Sequence, residues 1–139
     1  MLTNRRTVRI EWGDCDPAGI IYYPRYFEIF DASVNALFER GIGMTKYQML
    51  QNFKFTGYPS IATSARFVRP IRFGDDVVVE STIRFKTSSF HVDHRVIKAG
   101  DLAAEGAETR VWVITDPADP NKLKASPIPR ELIDRMTVG

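Results

Sequence analysis

The densest set of groups able to do chemistry in this 139-residue chain is Glu11-Trp12-Gly13-Asp14-Cys15-Asp16-Pro17-Ala18-Gly19, followed at once by Ile20-Ile21-Tyr22-Tyr23-Pro24. Asp14 and Asp16 flank a thiol. An aspartate beside Gly and Pro can hold a turn by accepting backbone N–H bonds. It can also attack an electrophilic carbonyl or activate water against one. The stretch is too apolar for a solvated connector and too irregular for a strand, so it reads as a loop laid against an apolar cleft. Cys15 is a poor nucleophile here: the acids on either side raise its thiol pKa, and His91 and His94 are far away in sequence. We expect a partly buried, inert cysteine.

Other chemistries are excluded by composition. One cysteine and two histidines cannot assemble a zinc site or an intramolecular disulfide, and a reducing, cytoplasmic setting fits best. The net charge is +2 and the basic residues are scattered, which argues against nucleic acid. No apolar run reaches the length of a membrane span, so no membrane association is expected. No metal is called for. His94 shares an alternating face with Phe90, Val92 and Val96 and reads as a hydrogen-bonded core residue, while His91 points to the polar side.

The elements that position this loop are legible. Pro24 opens a segment in which Phe27, Phe30, Val34 and Leu37 recur at helical spacing, and Gly41 stands where a left-handed cap would end it. Tyr26, Ile29, Ala32, Ala36 and Phe38 widen the apolar stripe, so this helix needs covering on more than one side. Its first turn offers unpaired N–H groups and a positive dipole end to the loop before it, suited to polarising a carbonyl oxygen.

From Ser60 onward the period falls to two. Val77, Val79, Ile83 and Phe85 alternate with Glu80, Thr82, Arg84 and Lys86. Turn residues at Phe73–Asp76, Lys86–Ser89 and Ala99–Asp101 predict antiparallel hairpins. Short helices are expected over Thr45–Leu50 and Pro129–Met136. The order is a strand, the long helix, then about four strands. The expected fold is therefore a single α+β domain, residues 1–139, with the sheet curled around the helix.

Gly13-Asp14-Cys15-Asp16-Pro17-Ala18-Gly19-Ile20, followed by Tyr22-Tyr23-Pro24 and Tyr26, resembles the signature of the hotdog-fold acyl-CoA thioesterases, and within them the 4-hydroxybenzoyl-CoA branch. The resemblance runs on through the long helix, the Pro59–Val68 strand, the Ser89-Phe90 turn and the C-terminal proline segment. It implies the hotdog fold, an antiparallel sheet of about five strands wrapped around one long central helix. It also implies hydrolysis of an acyl-CoA thioester, aromatic such as 4-hydroxybenzoyl-CoA or short to medium aliphatic. Coenzyme A is then part of the substrate, with no separate cofactor.

Carried over residue by residue, the resemblance makes Asp16 the nucleophile or general base and Asp14 structural. The backbone N–H of Tyr23 bonds the thioester oxygen. Gly19, Ile20, Tyr22, Tyr26, Thr63 and Ser64 contact the substrate, and Arg84, Lys86 and Lys124 bind coenzyme A. Thr87 and Ser88 stand where the family has a denser basic cluster. A homo-oligomer, dimer or tetramer, with substrate at subunit interfaces is implied. Two other readings stay open: a thioesterase acting on acyl carrier protein, and a non-catalytic acyl-CoA-binding protein. A hotdog dehydratase is disfavoured, because no histidine lies near the start of the long helix.

Overall fold

A computed structural model of the chain describes residues 1–137. The last two residues of the expected domain, 138 and 139, lie outside the described residues. In chain order the elements are β1 (Leu2–Arg9), a 3-10 turn (Trp12–Asp14), α1 (Pro24–Ile42), α2 (Lys46–Phe53) and β2 (Ser60–Phe67). There follow β3 (Asp76–Phe85), β4 (Ser89–Lys98), β5 (Asp101–Val111), β6 (Val113–Asp116), β7 (Asp119–Ala125) and α3 (Arg130–Thr137).

Pro24 occupies the first turn of α1, where its missing N–H costs nothing. Along α1, Tyr26, Phe30, Ser33, Val34, Leu37, Phe38 and Ile42 are buried, which is the broad face the sequence pattern demanded. Its first half packs with Ile10, Ile71, Val77 and Val96. Its second half packs with Phe90, Trp112, Leu132 and Met136. Burying each such large apolar side chain stabilises the fold by about 1.5–3 kcal/mol.

The helix ends at Gly43, not Gly41. Gly43 takes φ +70° and gives its N–H to Glu39 O at 2.8 Å. Gly41 serves close packing instead: a Cβ there would lie 2.7 Å from Met136 Cγ and 3.1 Å from Leu2 Cδ2. It lets α3 and β1 approach the last turn of α1. The flanking short helix starts from Thr45, whose hydroxyl accepts from Gln48 N while Gln48 Oε1 accepts from Thr45 N.

The main sheet is antiparallel with order β1-β3-β4-β5-β2, wrapped around α1 as the hotdog arrangement requires. The turns at Lys86–Ser89 and Ala99–Asp101 are the expected hairpins. The Phe73–Asp76 turn is not. It leads from β2 to β3, which stand on opposite sides of the sheet, because residues 68–75 are drawn across to the Asp16 loop instead of doubling back.

A separate hairpin of β6 and β7 also departs from expectation. Asp119-Pro120-Asn121 carry poor strand formers, and β7 is almost wholly exposed, so no alternating apolar signal marks it. The sheet order leaves β2 as an edge, and Ile61, Phe67 and the adjoining Val68 are exposed.

Candidate active site

The loop between β1 and α1 is built by its own backbone. Asp14 Oδ2 accepts from Glu11 N at 2.9 Å, and Tyr22 N donates to Asp14 O at 2.8 Å. One turn further in, Asp16 N donates to Ile20 O and Gly19 N to Asp16 O, both at 2.9 Å. This tight closure requires Gly19 to adopt φ +77°. Both aspartates therefore hold turns, each through one carboxylate oxygen. Asp16 Oδ1 accepts from Ala18 N at 2.9 Å, and its other oxygen makes no hydrogen bond among the described residues.

The turn is fastened to the rest of the fold by the 68–75 segment. Ile21 N donates to Ile71 O at 2.8 Å, Phe73 N donates to Gly19 O at 2.9 Å, and Ile20 bridges Arg72. Immediately afterwards comes the start of α1. Tyr23 is the cap residue there and receives no side-chain cap; its own N–H makes no hydrogen bond among the described residues. A helix's positive end with an orphan donor thus follows directly on the turn that carries Asp16.

Ile20, Ile21, Tyr23, Tyr26, Phe67 and Pro70 are among the residues lining a groove of about 340 Å³ next to that donor. Tyr26 is buried, its ring 4.7 Å from that of Phe67, and burial pushes its hydroxyl pKa up to about 12, so it stays a neutral hydrogen-bonding group. Asp16, Gly19 and Tyr22 belong to the turn at the groove's edge and not to its lining. Burial first, then Asp14, Asp16 and Asp75, push the Cys15 thiol pKa up, against a nucleophilic thiolate.

A family model described as the thioesterase-like superfamily matches residues 10–136. The chain belongs to this superfamily. It is 31% identical over 133 residues to 4-hydroxybenzoyl-CoA thioesterase of Pseudomonas sp. strain CBS-3, covering 91% of this chain and 92% of that protein. A solved 4-hydroxybenzoyl-CoA thioesterase, an Asp-to-Asn variant complexed with 4-hydroxybenzoyl-CoA, is 28% identical with a TM-score of 0.88, covering 98% of this chain and 99% of the other. A gentisyl-coenzyme A thioesterase structure is 32% identical with a TM-score of 0.79, covering 93% of this chain and 98% of that one.

This member of the superfamily does not gather every expected site residue in one place. Thr63 lies on the strand face shared with Ala65 and Phe67, toward α1, whereas alternation turns Ser64 to the other face with Arg66. Arg84 and Lys86 line one groove with His91. Lys124 is at the same end of the molecule, because Ser126 bonds Trp112 and Trp112 bonds Ser88. The Asp16 loop is at the other end of β3, tied to it through Ile10 and Asp75. Eight residue steps of strand carry the chain from Asp76 to Arg84, about 25–30 Å.

One polar feature of this thioesterase-like chain was only partly legible in its sequence. His94 is a core residue as expected, with Nδ1 2.7 Å from Ser81 Oγ and Nε2 2.7 Å from Glu108 Oε2. Glu108 Oε1 accepts from Arg110 Nε at 2.6 Å, and Arg110 Nη2 donates to Asp31 at 2.9 Å. The chain of bonds crosses from β3 through β4 and β5 to α1. Its one visible signal was Glu108 and Arg110 at alternating positions of a strand, two charges on one face. No group of three or more His, Cys, Asp or Glu able to hold a metal exists among the described residues, and no described helix is long and apolar enough to cross a membrane.

Proposed function

We propose that this chain hydrolyses acyl-CoA thioesters, with an aromatic acyl group such as 4-hydroxybenzoyl as the leading candidate. The observation that carries the reading is the pairing of an unpartnered Tyr23 N–H at the start of α1 with an Asp16 carboxylate held one-handed on the adjoining turn. The aromatic preference draws support from the relatives named for 4-hydroxybenzoyl-CoA and gentisyl-coenzyme A.

In this mechanism the thioester oxygen sits against Tyr23 N–H, which with the helix dipole stabilises the negative charge that develops there. The free oxygen of Asp16 attacks the carbonyl carbon, or removes a proton from the water that does. The C–S bond breaks and the CoA thiolate leaves; where Asp16 itself attacked, water then cleaves the resulting acyl-aspartyl anhydride, releasing the free acid and restoring the carboxylate. Removing one oxyanion donor in comparable acyl-transfer enzymes costs about 100- to 1,000-fold in kcat, which sets the scale of what the Tyr23 N–H contributes. Ile20, Ile21 and Tyr26 shape the acyl end. A homo-oligomer joined through the exposed β2 edge would bring Thr63 of a neighbour toward this groove.

Release of thiol from a panel of acyl-CoAs, followed with a thiol-reactive dye, tests the proposal. Asp16→Asn is expected to fold and bind substrate while losing turnover by orders of magnitude; Asp14→Asn is expected mainly to lower stability. Near-native turnover by Asp16→Asn would sink the mechanism. Binding without thiol release by the wild-type chain would leave a non-catalytic acyl-CoA-binding protein.

A further inference from the structure

Trp12 and Phe73 stand outside both buried clusters, with 57% and 51% of their surfaces exposed. Their rings nevertheless meet edge-on, with centroids 5.5 Å apart and planes at 79°. Among the described residues neither ring pairs with any other aromatic ring. An edge-to-face contact that solvent still reaches adds little to the core. It joins, however, the two backbone segments that bracket Asp16.

On one side, Trp12 opens the 3-10 turn, and its carbonyl accepts from Cys15 N at 3.0 Å, one residue before Asp16. On the other side, Phe73 N donates to Gly19 O at 2.9 Å, and Gly19 N in turn donates to Asp16 O. The segment that carries Phe73 has anchors of its own. Asp75 Oδ2 accepts from Arg72 N at 2.7 Å and pairs with Lys98 Nζ at 2.8 Å. Gly74 N donates to Ile10 O and Ile10 N to Asp75 O, both at 2.8 Å. The hydrogen bonds of the 3-10 turn, by contrast, stay within the loop between β1 and α1: Asp14 N goes to Glu11 O, Cys15 N to Trp12 O and Tyr22 N to Asp14 O. The Trp12 ring is what reaches from this turn to the anchored segment.

We propose that Trp12 and Phe73 are positioning residues for the reaction of Asp16: their ring pair holds the 3-10 turn against the anchored 70–75 segment and so fixes where the Asp16 carboxylate stands. This rests on the hydrolase reading above and adds to it two residues that act through Asp16 instead of on the substrate. Misplacing a reacting group by about 1 Å can cost about 100-fold in rate. A contact too small to matter for global stability is therefore large enough to matter for turnover.

The experiment compares kcat and KM for Trp12→Leu, Phe73→Leu, the double variant, Trp12→Phe and Phe73→Tyr. The substrate is 4-hydroxybenzoyl-CoA or whichever acyl-CoA of the panel the wild type cleaves. Each leucine variant is expected to lose about tenfold in kcat with KM little changed. The double variant loses no more than the worse single one, because the pair is broken only once, and the aromatic replacements recover kcat. Amide hydrogen exchange, read by NMR, follows the N–H groups of Asp16, Gly19 and Ile21, whose bonds close and fasten the turn. It is expected to quicken about two- to tenfold there in the leucine variants, the range for one edge-to-face contact, while β3 and β4 exchange as in the wild type. Losses in kcat that multiply in the double variant, a wild-type kcat in Phe73→Leu, or exchange that quickens as much in β3 and β4 as in the turn each overturn the assignment and leave the hydrolase reading standing. If the wild type cleaves no thioester, that reading fails by itself and the exchange rates decide. Faster exchange confined to the turn then supports the hold of the ring pair on it; unchanged exchange overturns it.

Discussion

The ring of Phe30 lies flat against that of His94, with centroids 4.5 Å apart and planes 6° from parallel. It covers the place where residue 106 would carry a side chain. A Cβ on Gly106 would come within 2.8 Å of Phe30 Cζ and closer still to Cε2. Glycine on β5 is therefore what allows α1 to seat an aromatic ring on the sheet, directly against the His94 of the buried polar chain.

Gly106→Ala is expected to destabilise the fold by about 1–3 kcal/mol, the range for overpacking a close-packed core. Urea unfolding measures it. A Gly106→Ala variant as stable as the wild type would show that Phe30 does not rest on the β5 backbone.

Glu108 gives a pH signature. Burial alone would raise its pKa, but hydrogen bonds and charge from His94 and Arg110 prevail and hold it below the ordinary carboxylate value. The folded pKa is thus lower than the unfolded one. The stabilisation is complete above the unfolded pKa, near 4.3, and drains away as pH falls through the folded value. Glu108→Gln is expected to cost about 3 kcal/mol at neutral pH, because it strands a buried guanidinium, and to flatten the acid limb of the stability curve below about pH 4.3. Equal slopes for variant and wild type between pH 5 and pH 2 would refute this.

Gly19 carries φ +77°, and a Cβ placed on it would meet nothing within 4 Å, so substitution there acts through the backbone and not through a clash. Gly19→Ala should cost about 1–2 kcal/mol in the left-handed region and lower kcat by loosening the Asp16 turn, with Gly19→Asn milder. Thermal melts and kcat measured on the same preparations separate the two effects; a full kcat in Gly19→Ala would mean that the turn does not position the carboxylate.

Ile61 is 66% exposed on the edge strand β2. If subunits pair along that edge, a charge there opposes it. Ile61→Lys is expected to shift the chain to monomer in sedimentation velocity and to lower turnover with it. An unaltered oligomer would place the interface elsewhere.

The Asp16 loop and the long helix were legible in the sequence for a local reason. The Asp-Cys-Asp-Pro-Ala-Gly run, the proline at the first helical turn and the three- to four-residue apolar spacing are short-range patterns, each fixed by backbone chemistry within a few residues. The alternation of β3 and β4 likewise marked His94 for the core. The turn roles of Asp14 and Asp16 also follow from Asp beside Gly and Pro, each aspartate using one carboxylate oxygen to hold its turn.

What the tertiary structure decided concerns residues distant in sequence. Gly41 and Gly43 are both plausible caps two residues apart; the approach of Met136 and Leu2 assigns the first to packing and leaves the second to end the helix. The Phe73–Asp76 turn looks like any hairpin turn until β2 is seen to pair with β5 and the 68–75 segment to clamp the Asp16 loop. The meeting of Trp12 with Phe73, and the placing of Arg84 at the far end of β3, depend on strand order. A one-dimensional pattern specifies which face a side chain takes, but not which other strand that face will meet, because strand order is settled by the burial of the whole apolar surface at once.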